Sequence, residues 1–369
     1  MTSTIDLDKY LAHTSVKVSR GAKKIELLRG EISSYNSLIV TTEGALIRDT
    51  SSQIISSISN SFTEVITDIR PNPDIDHLDK IINEFRGRDI QHIIALGGGS
   101  VIDAAKIFSA TLNLNIENIL SSHFRQKKEI TWNNFIEITA IPTTSGTGSE
   151  VTPFATVWDN RNGEKYSYFS EEVLPRSAFL IPELTLSLKE EDTIFPALDA
   201  LSHSLESIWN VKSNPKIRKI SEKSIELIVK NLPLVISEPS NLEAREILQI
   251  SSLLAGLAIS ETKTAIAHSI SYPLTNKCGV PHGLACSFTL LALINLLESS
   301  GKTILRNDDI KVQLIHFLKS LKLDEKIISY VTKNEILKLI PEMFNPERAK
   351  NFVIPLSHGD IKDIIEASV

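Results

Sequence analysis

Short apolar runs alternate with helix-period segments through the first half of the chain. Ser37-Leu-Ile-Val-Thr-Thr42 is a compact apolar run that stops at Glu43-Gly44, the pattern of a buried strand. Thr50 to Phe62 then steps with a helical period. Residues 64–68 form a second strand, ended by Arg70-Pro-Asn-Pro73, and Asp76 to Phe85 is helical. His92 to Leu96 is a third strand running into Gly97-Gly-Gly-Ser100, and Val101 to Leu112 is a helix. Phe135 to Ile141 is a further strand, entering the loop Pro142 to Glu150. Residues 155–159 and 165–169 predict a hairpin around Asn162-Gly163. Strands alternating with helices predict a parallel sheet covered by helices on both faces. From about Ser187 the pattern changes to long helical periods. The expected architecture is an α/β domain over residues 1–186 and an all-α domain over residues 187–369.

Composition narrows this picture. A chain of 369 residues is too long for one small core, so two domains are expected. Apolar residues make up 42% and charged residues 23%, the ordinary balance of a globular protein. A net charge of −6 argues against non-specific binding to nucleic acid or anionic membranes. Cys278 and Cys286 form no Cys-x-x-Cys pair, which fits a reducing cytoplasm. Both read as small packed hydrophobes. The first eight residues lack a basic region followed by an apolar one, so no signal peptide is expected. No apolar run is expected to reach about 18 residues, so no transmembrane helix is expected.

Two kinds of candidate chemistry stand on this scaffold. Gly97 to Ser100 follows a strand and opens a helix, where backbone N–H groups and the helix dipole favour a phosphate. The second Gly- and Thr-rich loop, residues 143–149, also follows a strand. Both loops should therefore lie at the carboxyl edge of the sheet, where α/β folds bind ligands. The other candidate is Asp199 with His203. Ile194, Leu198, Leu201, Leu205 and Ile208 step with a helical period, so Asp199 and His203 leave one face, one turn apart, away from that stripe. His268 and His282 add two imidazoles. One carboxylate and three imidazoles suit Fe(II) or Zn(II), although spacing alone does not bring the four together. Glu206, one turn beyond His203, reads as a helix-surface residue rather than one that orients a ligand.

In order, these stretches resemble the iron-containing (group III) alcohol dehydrogenases, which have a dehydroquinate synthase-like fold. The resemblance is carried by residues 97–106, residues 142–152, Pro182-Glu-Leu-Thr-Leu186, Asp199-Ala-Leu-Ser-His203, His268, Pro281-His-Gly283 and the tail from Asn345. It implies an N-terminal nucleotide-binding domain and a C-terminal helical metal domain, with the active site in the cleft between them. It assigns the metal to Asp199, His203, His268 and His282. It assigns cofactor contacts to Thr42, Asn72, Gly98, Gly99, Ser100, Thr143, Thr144, Thr147 and Lys165.

Three positions depart from the family pattern. Tyr272 stands where many members carry a second His; a phenol can still donate a hydrogen bond, so the proton for the alkoxide comes either from solvent or through Tyr272. Thr42 stands where NAD-preferring members carry an Asp, so the expected cofactor is NADPH, or NADH. Ile181 replaces an Asp before Pro182. Residues 268–287 look most like phosphonoacetaldehyde reductases. The expected substrate is thus a small anionic aldehyde, phosphonoacetaldehyde above all, and an uncharged short-chain aldehyde is the alternative. A phosphonate needs a cation, for which Lys263, Lys277 and Arg176 are the candidates. A dehydroquinate synthase-like lyase is disfavoured by the apolar Ala265, Ile266, Ile270, Pro273 and Leu274 around His268. The intact four-ligand set argues against a non-catalytic relic. A homodimer is the expected assembly.

Overall fold

The computed structural model describes residues 6–32, 35–60 and 63–369. It divides into two compact units, Met1–Thr144 with Ser149–Ser187, and Ser145–Gly148 with Leu188–Val369. A single cut at 186/187 therefore misassigns residues 145–148. Their grouping has a steric reason. Gly148 has a φ of +63°, and a Cβ there would lie 2.5 Å from Gly256 Cα, so this loop packs backbone to backbone against a helix of the second unit.

Among the described residues, the first unit holds eight strands: β1 (Lys17–Arg20), β2 (Ser37–Val40), β3 (Glu64–Ile66), β4 (His92–Gly97), β5 (Glu137–Pro142), β6 (Phe154–Asp159), β7 (Glu164–Phe169) and β8 (Ser177–Leu180). Six of them make a sheet in the order β1-β8-β5-β4-β2-β3. Every pairing in it is parallel. The predicted strands fall within a few residues of β2 to β7, and the hairpin is β6–β7, with Asp159 opposite Glu164. Among the helices between them are α1 (Asp49–Ile58), α2 (Ile75–Phe85) and α3 (Gly99–Thr111). Phe62, the predicted end of the first, lies outside the described residues.

Period two explains the central strands. Ile93 and Ala95 of β4 join one apolar cluster with Leu38, Leu78, Ile82 and Phe108. Ile94 and Leu96 join the other, with Ile39, Ile54, Phe179 and Ile181. Each fully buried isoleucine stabilises the fold by about 1.5–3 kcal/mol of transfer free energy. Ile181 sits fully buried in that second cluster, so an Asp at this position would be a carboxylate in an apolar setting. The register places Gly97 opposite Pro142. The loops after β4 and β5 therefore leave the sheet side by side at its carboxyl edge.

The second unit is built from α4 (Glu190–Ile208), α5 (Pro215–Ser237), α6 (Leu242–Thr262), α7 (Ile266–Cys278), α8 (His282–Ala285), α9 (Leu290–Ser299) and shorter helices toward the C-terminus. They enclose one apolar core that includes Leu198, Leu205, Ile270, Leu284 and Leu293. α4 is not amphipathic in the way its stripe predicts. Asp199 and His203 are buried along with the apolar residues, because α4 packs against α5, α6 and α8. One stretch, His282–Ser299, is long and apolar enough to cross a membrane by composition, contrary to expectation, and 61% of it is buried inside the fold. Its leucines fill the helical core, which accounts for its apolarity.

Candidate metal centre

Four predicted ligands meet in the second unit. Asp199 Oδ1 lies 3.3 Å from His268 Nε2, 3.5 Å from His203 Nε2 and 3.9 Å from His282 Nε2. The His203 and His268 rings stack with centroids 4.8 Å apart, and His282 meets His268 edge-on at 5.4 Å. Donors bound to one ion at about 2.0–2.2 Å stand about 3.3–3.5 Å apart in a tetrahedron, with somewhat wider pairs in distorted sites. The separations here match that requirement. One carboxylate oxygen facing three imidazole nitrogens is a donor set that fits Fe(II) or Zn(II).

Local structure explains how each residue arrives. Asp199 and His203 are one turn apart on α4. His268 lies in the first turn of α7, and His282 opens α8 just after Pro281. α8 approaches α4 closely because residue 283 has no side chain: a Cβ on Gly283 would lie 1.8 Å from Phe195 O.

Glu206 is a correction to the sequence reading. It is fully buried, not a surface residue. His268 Nδ1–H donates to its Oε2 at 2.7 Å. The backbone N–H groups of Ala265, Ala267 and His268 donate to the same carboxylate at 2.9, 2.6 and 3.3 Å. A carboxylate only accepts, so Nδ1 carries the proton and Nε2 is left to face Asp199. Helix periodicity places Glu206 one turn from His203, but only the fold shows that α7 begins against it.

Electrostatics follow from this packing. Burial opposes ionisation of Asp199, yet His203, His268 and His282 together outweigh it and hold the carboxyl well below its usual range. Burial likewise opposes charge on His268, but Glu206 and Asp199 prevail and raise it to about 9, so Nε2 also carries a proton at neutral pH, which an ion bound there would displace. Glu206 is lowered, with burial overcome by the His268 imidazole and the backbone donors.

Cys286 is also not a plain packed hydrophobe. Its Sγ is 3.5 Å from Asp199 Oδ1 and 3.5 Å from Gly283 O. Asp199, His268, His282 and Cys286 each present a donor atom within 4.8 Å of the others.

Apart from Lys165, which lies on β7 of the hairpin, the cofactor candidates of the first unit share the carboxyl edge of the sheet. Thr143 N donates to Gly97 O at 3.0 Å, and Thr41 Oγ1 donates to Leu96 O at 2.7 Å, just before the half-buried Thr42. Asn72, with a φ of +56°, donates its N–H to Ser100 Oγ at 3.3 Å. Gly98 precedes α3, and a Cβ there would stand 3.1 Å from Thr144 Oγ1. Gly99 and Ser100 begin α3. Lys165 Nζ lies 5.1 Å over the Trp158 ring, whose residue donates its N–H to Pro73 O. Thr147 groups with the second unit instead.

Sequence reasoning missed what anchors the second loop. Lys106 is fully buried and donates to Ser149 Oγ, Thr152 Oγ1 and Phe154 O at 2.7, 3.1 and 2.8 Å. Ser149 Oγ in turn donates to Asp103 Oδ1 at 2.6 Å. The signal was present as an Asp and a Lys three apart on α3.

The remaining candidates fare differently. Tyr272 is half-buried, one turn beyond His268 on α7. Lys263 is exposed and its charge reaches Glu347. Lys277 pairs with Glu342 at 2.6 Å, and Arg176 pairs with Glu137. Ala265, Ile266, Ile270 and Leu274 belong to the helical core and Pro273 is buried beside them, so their apolarity reports packing and not the nature of a substrate.

Residues 15–182 match the family model for iron-containing alcohol dehydrogenase, and residues 193–340 match that for the C-terminal domain of the Fe-containing alcohol dehydrogenase family. The chain is 31% identical to a 1-propanol dehydrogenase of Citrobacter freundii, over 64% of this chain and 60% of that one. It is 34% identical to a phosphonoacetaldehyde reductase of Streptomyces viridochromogenes, over 54% of this chain and 52% of that one. The match thus spans between half and three fifths of these two relatives. The crystal structure of a sulfoacetaldehyde reductase from Bifidobacterium kashiwanohense in complex with NAD+ superposes with a TM-score of 0.82 at 25% identity, covering 96% of this chain and 97% of that one. With one family's two models matching either side of the α/β-to-helical boundary, the chain belongs to the iron-containing alcohol dehydrogenases.

Proposed function

We propose that the chain is a metal-dependent, NAD(P)-linked alcohol dehydrogenase working as an aldehyde reductase, and that it reduces phosphonoacetaldehyde to 2-hydroxyethylphosphonate. The observation that carries the reaction class is the convergence of three imidazole nitrogens on Asp199 Oδ1 in a buried helical site. Family membership and the NAD+ complex of a structural relative support it. A bound Fe(II) or Zn(II) would supply Lewis acidity and a reduced nicotinamide the hydride.

The chain's own part is binding, orientation and proton movement. Asp199, His203, His268 and His282 would hold the ion. Glu206 fixes the His268 tautomer, which keeps Nε2 available. Gly98, Gly99, Ser100, Thr143 and Thr144 would hold the cofactor phosphates, with Thr42, Asn72 and Lys165 beside them. Thr42 brings no carboxylate against a 2′-phosphate, so the reading leans to NADPH. Tyr272 would donate the proton that completes the alcohol, and its phenol would be reprotonated from solvent.

The phosphonate reading is supported by the 34% identical relative. Lys263, exposed five residues before His268, is its candidate anion contact, while Lys277 and Arg176 pair with Glu342 and Glu137. Those pairings, with the propanol dehydrogenase relative, favour a second reading in which the aldehyde is short and uncharged. A panel of phosphonoacetaldehyde, succinic semialdehyde, acetaldehyde, butanal and lactaldehyde at fixed cofactor separates the two. The proposal expects the highest kcat/KM for phosphonoacetaldehyde; a value no better than that for butanal would leave the uncharged reading.

A further inference from the structure

We propose that Cys286 is a fifth donor at the metal centre, so that the ion meets one carboxylate, three imidazoles and a sulfur. The proposal rests on reading Asp199, His203, His268 and His282 as the metal ligands.

Placement comes first. Cys286 N donates to His282 O at 2.9 Å, so His282 and Cys286 close one helical turn. Their side chains leave the same face of α8, as those of Asp199 and His203 leave one face of α4. Two donor pairs with the same spacing therefore face each other, and His268 lies against both. The α8 turn is held rigidly. Gly283 lets it sit against Phe195, and Ser202 Oγ on α4 lies 3.0 Å from Cys286 O. Cys286 is fully buried, so its sulfur is directed into the protein and not toward solvent.

Distance comes second. With sulfur about 2.3 Å and oxygen about 2.1 Å from a common ion, the two donors stand about 3.1–3.8 Å apart at the 90–120° angles of a five-donor site. The observed separation of Cys286 Sγ from Asp199 Oδ1 is 3.5 Å. The same sulfur falls within 4.8 Å of the His268 and His282 donors. On coordination the thiol proton leaves to solvent and the sulfur enters as thiolate, since a bound divalent ion favours that form. A soft donor would shift the centre toward zinc relative to an all O/N set.

The test uses the full chain stripped with a chelator and loaded with one equivalent of Co(II). Cobalt held by the Asp and His donors gives visible ligand-field bands; cobalt bound to sulfur adds a near-ultraviolet charge-transfer band. The expected result is both sets in the wild type, and loss of the near-ultraviolet band alone in Cys286→Ser. Cys286→Ala checks the result if the serine variant folds poorly. Zinc retention against a competing chelator should weaken tenfold or more in Cys286→Ser. A wild type with ligand-field bands and no charge-transfer band would overturn the assignment. So would a charge-transfer band that survives in Cys286→Ser, since that sulfur must then be Cys278. If the wild type shows no ligand-field bands at all, the metal reading itself fails and this proposal falls with it. His268→Ala should lose both sets of bands.

Discussion

His268 keeps its orientation through Glu206, whose carboxylate accepts from its imidazole and from three backbone N–H groups. Removing a carboxylate that orients a ligand histidine typically costs about 10–100-fold in metal affinity. Glu206→Gln should therefore weaken zinc retention by about that factor in a chelator competition. Glu206→Ala should also lower stability by about 1–3 kcal/mol, because buried donors lose their acceptor. Unchanged zinc affinity in Glu206→Gln would show that the carboxylate is only a helix cap. Thr42 supplies a second test. Thr42→Asp places a carboxylate at the edge of the sheet and should move the ratio of kcat/KM toward NADH over NADPH. A wild type that already strongly prefers NADH would remove the basis for that lean. Asp199, His203, His268 and His282 were legible as ligand types in the sequence, because their chemistry is carried by residue identity. Glu206 and Cys286 were not, because a Glu on a helix and a Cys after a turn look ordinary until another element packs against them.

At the scale of elements, burial decided what could be read. β2, β4 and β5 announce themselves as apolar runs because helices cover both faces of a parallel sheet. β1 and β8 are four residues each, and Lys17-Val-Ser-Arg20 carries two charges, so pattern reading passes them over. α4 misled in the opposite sense. Its apolar stripe predicts a solvent face, yet the opposite face is buried and carries the site. Two predictions belong here. Gly283→Ala puts a methyl group into Phe195 O and must shift α8. It should cost about 1–3 kcal/mol by overpacking and reduce metal retention, read by thermal denaturation and metal content; full retention of both would contradict the close packing of α8 on α4. The hairpin gives the other. Arg125 donates to Asp159 at 2.9 and 2.7 Å and to Asp76 at 2.6 and 3.2 Å, tying β6 to α2. The Arg125 hydrogen bond lowers Asp159 to about 2 against the opposing effect of burial, below the unfolded value of about 3.9. Its contribution to stability is thus present above about pH 4 and is lost as pH falls toward 2. Asp159→Asn should lower stability by about 2 kcal/mol at pH 7, and the gap from wild type, followed by urea denaturation, should close between pH 4 and pH 2. A gap that persists undiminished at pH 2 would show that the charge is not its source.

At the scale of the molecule, the order of motifs was the most informative feature of the sequence. An α/β half with two glycine loops followed by a helical half with an Asp, three His and Pro281-His-Gly283 leaves few alternatives, and the two family models fall on those halves. The grouping of residues 145–148 with the second unit was not legible, because it depends on Gly148 meeting Gly256 more than a hundred residues later. The apolar neighbours of His268 were read as evidence against a dehydroquinate synthase-like lyase, and they prove to be core. The central claim is one reaction: hydride exchange between NAD(P)H and an aldehyde that depends on an ion at Asp199, His203, His268 and His282. The most direct measurement is oxidation of NADPH or NADH by a small aldehyde, recorded on the chain as purified, after metal stripping, and after return of Fe(II) or Zn(II), with His268→Ala alongside. The prediction is one metal per chain, loss of turnover on stripping, recovery on reloading, and neither metal nor turnover in His268→Ala. Turnover that survives stripping, or a His268→Ala variant that keeps its metal and its rate, would contradict it.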